Sequence, residues 1–305
     1  MKTQNLIPSP LNYTGGKFKL LPQILPHFPT QMDTFLDLFS GGCNVGINVN
    51  ANKVVFNDNS PYLLHLFNTF KNLGKETMLG MIEEIIDKYG LSKVAEFGYA
   101  HYHCDSSKGL ADYNRGPFMR LREDFNKANQ DHGYYVLLYV LIVYTFNNQM
   151  RFNSKGAFNL PVGKRDFNGK MKEKLCAFID RLQAGNYHFS CEDFRKVNTS
   201  ELTENSLVYC DPPYLITCAT YNENGGWNEQ CERDLLALLD GLNERNIKFA
   251  LSNVLTSKGK TNVLLNEWVA QRNYHVIHLD YNYANSNYHT KDKTASTDEV
   301  LIVNY

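Results

Sequence analysis

The sequence predicts an α/β fold, a mostly parallel sheet flanked by helices and interrupted by a mostly helical insert. Three observations carry this. Seven short runs of apolar, β-branched or aromatic residues read as strands. Three helical patterns alternate with the later strands, as βαβ units do. Four further helical patterns come in a block with no strand among them, as an inserted subdomain does. The expected division is a core of residues 1–60 and 170–305 and an insert of residues 61–169.

In chain order, the strands are expected at 34–39, 53–57, 188–191, 207–210, 248–252, 275–280 and 299–304. The block of helices is expected at 60–73, 75–89, 118–128 and 134–146, and the alternating helices at 171–184, 230–246 and 261–272. Flexibility markers are densest at NENGG (222–226), which reads as a mobile loop.

Bulk properties narrow the function classes. The 305 residues are 43% apolar, enough for a full core. No apolar run reaches membrane-spanning length, and MKTQNLIPSP lacks the apolar stretch of a signal peptide. Seven cysteines, none in a C-x-x-C pair, suggest neither a zinc ribbon nor a disulfide framework, and a reducing cytoplasm is the expected setting. Net charge is −1, yet residues 147–172 hold six bases (Arg151, Lys155, Lys164, Arg165, Lys170, Lys172) against one acid, Asp166. Such a run on a near-neutral body suits one face meeting phosphate, or is an ordinary solvated loop.

TFLDLFSGGCNVG (34–46) is a strand followed by a glycine-rich turn, where a ligand can approach backbone N–H groups closely. It is not a dinucleotide GxGxxG. The next strand ends in FND, and Asp58 is placed to accept from a ribose diol, to cap the following helix, or both. Upstream, GGK (15–17) is not a P-loop, because the earlier glycine is missing and Phe18 stands where Mg²⁺ would need Ser or Thr. Lys17 is instead available to a carboxylate.

The stretch LVYCDPPYLIT (207–217) is the most telling. Asp211 sits where a strand leaves the core, the end at which open α/β sheets bind ligands. Pro212 and Pro213 cannot extend a β-ladder and leave carbonyls without local donors. A carboxylate beside a rigid carbonyl complements an exocyclic amino group with its two N–H donors. Holding both hydrogens favours a pyramidal nitrogen with its lone pair free for direct attack on an electrophilic methyl. No Pro-Cys dipeptide offers the thiol that C5-cytosine chemistry uses. Tyr214 supplies a ring for stacking a base flipped out of the duplex.

With NYTGGK, FLDLFSGGCNVG, FNDNSP, FNNQMRFNSKGAFNLPVGKRDF and CDPPY in this order, the chain resembles the D12 class of DNA adenine-N6 methyltransferases over nearly its whole length. The resemblance implies a Rossmann-like, S-adenosylmethionine-dependent methyltransferase core with a C-terminal antiparallel strand, and a target-recognition insert carrying a β-hairpin. It implies methyl transfer from S-adenosylmethionine, without a metal, to N6 of a flipped-out adenine in double-stranded DNA. The setting would be a restriction-modification system, with a cognate endonuclease as partner, or a solitary Dam-like enzyme. Tyr13 and Lys17 would contact the cofactor, with Asp37, Phe39 and Gly41 lining the turn, Asp58 on the ribose, and Asp193 and Phe194 on the adenine side. Asp211 belongs to this pocket as well as to the catalytic set Asp211, Pro212, Pro213 and Tyr214. For Asp193, capping a turn is the other reading.

NNQMRFNSKGAFNLPVGKR (147–165) reads as a β-hairpin, Phe152 and Phe158 flanking a turn at NSKG. Arg151 is the candidate base reader, since guanidinium to guanine is the commonest specific contact. Asn153 and Lys155 are assigned to phosphate or base, Lys164 and Arg165 to phosphate. YAHYHC (99–104) invites a metal, but residues two apart on a helix face away from each other. NSNYHTKDKTASTDEV (285–300) reads as a loop touching DNA or as a surface hairpin. Two alternatives stand beside the leading function. N4-cytosine methylation would use similar chemistry, usually with Ser opening the motif. A catalytically inactive DNA-binding module fits poorly with intact Asp211 and Lys17.

Overall fold

A computed structural model of the chain describes residues 5–217, 226–280 and 297–305. Residues 222–225 of the loop expected at 222–226, and residues 285–296 of the segment 285–300, lie outside the described residues. In chain order the main elements are α1 (Leu21–Ile24), β1 (Met32–Asp37), β2 (Ala51–Asn57), α2 (Pro61–Tyr89), α3 (Val94–His101), α4 (Ala111–Lys127), α5 (His132–Tyr144) and α6 (Gly169–Ala184). Then follow β3 (Tyr187–Ser190), β4 (Leu207–Cys210), α7 (Glu229–Glu244), β5 (Lys248–Ser257), β6 (Lys260–Thr261), α8 (Val263–Ala270), β7 (His275–Leu279) and β8 (Thr297–Val303). Two compact units result: Met1–Gly16 with Ser60–Asn186, and Lys17–Asn59 with Tyr187–Tyr305. Among the described residues no helix is long and apolar enough to cross a membrane.

The second unit is built on an eight-stranded sheet of order β3-β2-β1-β4-β5-β8-β7, with β6 paired to β5. Pairs from β3 through β5 are parallel, and β8 runs antiparallel to both β5 and β7. The reversal of strand order falls between β1 and β4, with Asp37 paired to Tyr209. Such a switch point opens a crevice at the carboxyl ends of the strands. Leu36, Val208, Leu251 and Ile302 from the strands join Leu235, Leu239 and Leu242 of α7 in one buried cluster. The spacing of those leucines puts them on one helical face. Asn228 caps α7 by accepting from the N–H of Cys231 at 3.0 Å.

The first unit is helical. α5 is apolar nearly all round and is its core, as that pattern requires. α2 packs Phe67 on Phe178 of α6 and Phe70 edge-on to Tyr139 of α5, with ring centroids 5.4 and 5.3 Å apart. The two helices expected at 60–73 and 75–89 are the halves of α2, broken at Gly74, whose φ of 72° and ψ of 172° suit only glycine. One expectation is corrected. The helix expected at 118–128 starts earlier: α4 begins at Ala111 and carries Pro117 inside. Asn114, Phe118, Leu121 and Phe125 are buried on one face and hold the helix across the missing N–H.

Candidate active site

Each acid singled out in the sheet unit lies at or just beyond the carboxyl end of a parallel strand. Asp37 closes β1, Asp58 follows β2, Asp193 follows β3 and Asp211 follows β4. Asn57, buried at the end of β2, ties these ends together. Its amide donates to the carbonyls of Leu38 and Glu192 at 3.1 and 3.0 Å. Its Oδ1 accepts from Ser190 Oγ and the Glu192 N–H at 3.0 and 3.1 Å. A mid-sequence asparagine gave no sign of this; only the pairing of β2 with its neighbours makes it a clamp.

The turn after β1 is organised by two carboxylates. Asp37 Oδ2 accepts from the Gly46 N–H at 3.1 Å and Asp58 Oδ2 from the Gly41 N–H at 2.9 Å. A Cβ on Gly46 would overlap the Phe56 ring, so glycine there lets the backbone reach Asp37. Burial, with Asp211 and Asp58 nearby, pushes the Asp37 carboxyl up to about 8 despite the Gly46 hydrogen bond. Phe39 and Phe194 meet at 5.3 Å, and Trp227 lies 5.6 and 5.5 Å from them. Trp227 is a residue the sequence did not flag. Its indole N–H donates to buried Glu232 at 2.6 Å, and Glu232 also accepts from Asn253 and Asn262 at 3.1 and 2.9 Å. Asp193 is folded into a turn with Arg195, which donates to both of its oxygens at 2.8 and 2.7 Å. These bonds hold its carboxyl down at about 2. Asp193 Oδ1 also accepts from the Arg195 N–H at 2.9 Å, which closes the turn.

Beyond β4 the chain is irregular from Asp211 to Tyr214, with Pro212 buried and Pro213 exposed. The carbonyls of both prolines accept no hydrogen bond from a described residue. Lys17, which opens a short 3₁₀ turn and is only 6% exposed, places Nζ 2.8 Å from Asp211 Oδ1. The carboxylate that Lys17 meets is therefore the chain's own. Tyr214 turns its hydroxyl to the same Oδ1 at 3.0 Å, and one face of its ring carries the Lys17 ammonium 5.0 Å from the centroid. The sequence missed a fourth member. Glu299 of β8, 1% exposed, brings Oε1 to 3.2 Å from the Tyr214 hydroxyl and 3.7 Å from Lys17. Burial is the main reason the Asp211 carboxyl sits above its ordinary value; Lys17 opposes the shift, Glu299 adds to it and Tyr214 opposes it. No described residue bonds Asp211 Oδ2. Lys17, Asp211 and Tyr214 are thus brought together, as are Asp37 and Asp58 with the glycine turn, and Phe39 with Phe194.

The remaining sequence-predicted residues belong to the helical unit. Tyr13 is 42% exposed. The segment 145–162 doubles back on two isolated antiparallel bridges, Thr145 with Val162 and Phe152 with Phe158. No continuous ladder forms, because side chains compete for the backbone. Asn153 Oδ1 accepts from the N–H groups of Lys155 and Ala157 at 3.0 Å each. Asn126 of α4 bonds both the N–H and the carbonyl of Phe158, at 2.8 and 3.2 Å. Asn147 and Asn148 sit at φ of 56° and 52°, two left-handed residues in succession just ahead of Arg151. Arg151, Lys155, Lys164 and Arg165 are exposed. Arg151 donates to Asn159 at 2.8 Å and Arg165 to the Tyr99 hydroxyl at 3.3 Å. Asp166, the one acid of the run, is buried and accepts from the Val94 N–H at 2.6 Å, so the exposed charge of 147–172 is all positive. Of YAHYHC, only Tyr99–His101 is helical; His103 follows at a φ of 52° and Cys104 donates to the Tyr99 carbonyl.

Comparison with known proteins fits this arrangement. Residues 13–285 match the family model for the D12 class N6 adenine-specific DNA methyltransferase. The chain is 44% identical over its whole length to the type II methyltransferase M.FokI of Planomicrobium okeanokoites, covering 44% of that protein. It is 41% identical over 99% of its length to the modification methylase StsI of Streptococcus sanguinis, again 44% of that protein. It is 27% identical over 88% of its length to the DNA adenine methylase of Escherichia coli (strain K12), covering 86% of that enzyme. The chain thus spans less than half the length of the two modification methylases, yet most of the length of the DNA adenine methylase. With its family model matched across the sheet unit's glycine turn, the Asp-Pro-Pro-Tyr end of β4 and the basic segment alike, the chain belongs to the D12 class of N6 adenine-specific DNA methyltransferases.

Proposed function

We propose that this chain transfers a methyl group from S-adenosylmethionine to N6 of an adenine flipped out of double-stranded DNA, as the modification arm of a restriction-modification system. The sheet unit would carry catalysis and the helical unit target recognition. The observation that carries this reading is the Asp211 carboxylate at the end of β4, fixed through Oδ1 and with no described residue on Oδ2, beside proline carbonyls that accept from no described residue. That pair of acceptors matches the two hydrogens of an amino group. The relatives named as modification methylases support the restriction-modification setting.

The charge of the pocket fits the donor. Asp211 and Glu299 both meet Lys17, with Asp37 near Asp211 and Asp58, so among the described residues acids outnumber bases here, which suits a ligand carrying a sulfonium and an ammonium against one carboxylate. When bound, S-adenosylmethionine supplies the electrophilic methyl. Asp58 and the Gly41 turn would hold the ribose side, Phe39 and Phe194 the adenine, and Asp37 the cationic part. Asp211 Oδ2 would take one amino hydrogen and a proline carbonyl the other, which localises the nitrogen lone pair for attack. Tyr214 would offer the base the ring face away from Lys17. In the helical unit, Arg151 is assigned to a base edge and Lys155, Lys164 and Arg165 to phosphates, while Asn153 builds the turn that presents them.

Labelled S-adenosylmethionine and unmethylated plasmid DNA test the reading directly. Transfer of label to adenine by the wild type, lost in Asp211→Ala, is expected. A wild type that binds both partners and labels nothing would favour an inactive recognition module.

A further inference from the structure

Glu299 lies in the middle of β8, opposite Val254 of β5 and Leu279 of β7, followed by Val300, Leu301 and Ile302, all fully buried. A carboxylate so placed is costly unless it has work among charged or donating groups. Among the described residues its Oε1 approaches the Tyr214 hydroxyl and Lys17 Nζ, which are also the groups that engage Asp211 Oδ1. Tyr214 has one hydroxyl proton and two acceptors, at 3.0 and 3.2 Å, so a proton given to Glu299 is withheld from Asp211.

From this geometry we infer that Glu299 is a positioning residue that competes with Asp211 for Tyr214 and Lys17, and so keeps Asp211 a strong acceptor for the amino group. The inference rests on the methyl-transfer reading above. Glu299 does not touch the base; it acts through two donors that do the holding. With Glu299 neutral, both donors turn fully to Asp211, whose carboxylate then accepts more weakly from a substrate. A negative charge at this position also disfavours a second one on Asp211. Among the described residues, Asp211 is faced by Lys17, Tyr214, Glu299, Asp37, Tyr209 and Cys210. Removing the charge of Glu299 shifts the ionisation of Asp211 to lower pH, and removing the Tyr214 hydroxyl shifts it to higher pH.

The experiment measures kcat against pH for wild type, Glu299→Gln, Glu299→Asp and Tyr214→Phe, with labelled S-adenosylmethionine and plasmid DNA at saturation. Cofactor affinity and thermal midpoint are read in parallel. For Glu299→Gln, kcat is expected to fall about tenfold or more and the acid limb to move about one unit lower, with cofactor affinity within about twofold of wild type. Glu299→Asp keeps the charge and is expected to keep the acid limb. Tyr214→Phe is expected to move it higher, and where Glu299→Gln does not fold, an unmoved limb in Tyr214→Phe overturns the inference. An acid limb that stays put in both Glu299→Gln and Tyr214→Phe, or shifts of the same sign in both, would overturn the inference while leaving an active wild type to support the function. A wild type that transfers no methyl overturns the function itself.

Discussion

Among the described residues Asp211 is held by one oxygen only, so shape and charge at this residue can be separated by substitution. Asparagine keeps the shape but leaves one acceptor where the carboxylate has two. Asp211→Asn is expected to lower kcat by about a hundredfold or more, with cofactor affinity changed far less; single-turnover assays and calorimetry separate the two. Asp37 carries a pH dependence of its own. Its carboxyl in the folded protein titrates near 8, above the ordinary value, so its neutral form stabilises the fold at low pH and that contribution is lost as pH rises through about 8. The thermal midpoint of the free protein is expected to fall between pH 6 and pH 9 by more in the wild type than in Asp37→Asn. A bound cation reverses the preference. Affinity for S-adenosylmethionine is expected to climb toward pH 8 and then level off, and to climb less for S-adenosylhomocysteine, which lacks the sulfonium charge. At this scale the legible residues were those whose local chemistry is a signal in itself: Asp-Pro-Pro-Tyr, the glycine turn, and acids at strand ends. Glu299, Asn57 and Trp227 were not legible, because each takes its meaning from a partner far off in sequence, Tyr214, Glu192 and Phe39 respectively.

Among the elements, α2 and α4 make opposite points about helix breakers. Gly74 breaks α2, and its conformation is one that a side chain strains against. Gly74→Ala is expected to cost about 1–3 kcal/mol in chemical denaturation, with methyl transfer by the folded fraction unchanged. Pro117 does not break α4, because a buried face outweighs one lost hydrogen bond. The seven strands were readable because a sheet covered on both faces selects runs of apolar residues. The two-residue β6 was not, since Lys260–Thr261 is exposed and pairs only with the end of β5. The basic segment shows the same limit. Its charge was plain in the sequence, but the burial of Asp166 and the capture of Phe158 by Asn126 depend on α4 and on the loop before α3.

For the whole molecule, a net charge of −1 conceals an uneven distribution of charge. Acids gather at the strand ends of the sheet unit, and exposed bases gather on residues 147–172 of the helical unit. Binding to duplex DNA is expected to weaken steeply with salt despite the near-zero net charge. Lys164→Gln is expected to reduce the slope of log affinity on log salt by about one and to weaken all sequences alike. Arg151→Ala is expected to cost about tenfold or more on the preferred site and little elsewhere. Filter binding on preferred and scrambled duplexes across a salt series checks both.

The antiparallel strand β8 also bears on when activity can begin. It closes the gap between β5 and β7 and brings Glu299 to a cluster whose lysine stands at position 17. A chain still emerging from the ribosome, with residues 297–303 not yet released, holds Lys17, Asp211 and Tyr214 but leaves facing edges of β5 and β7 unpaired. Contacts of such long sequence separation form late in folding. On the inference drawn for Glu299, the nascent protein reaches full methyl-transfer rate only once this strand has docked.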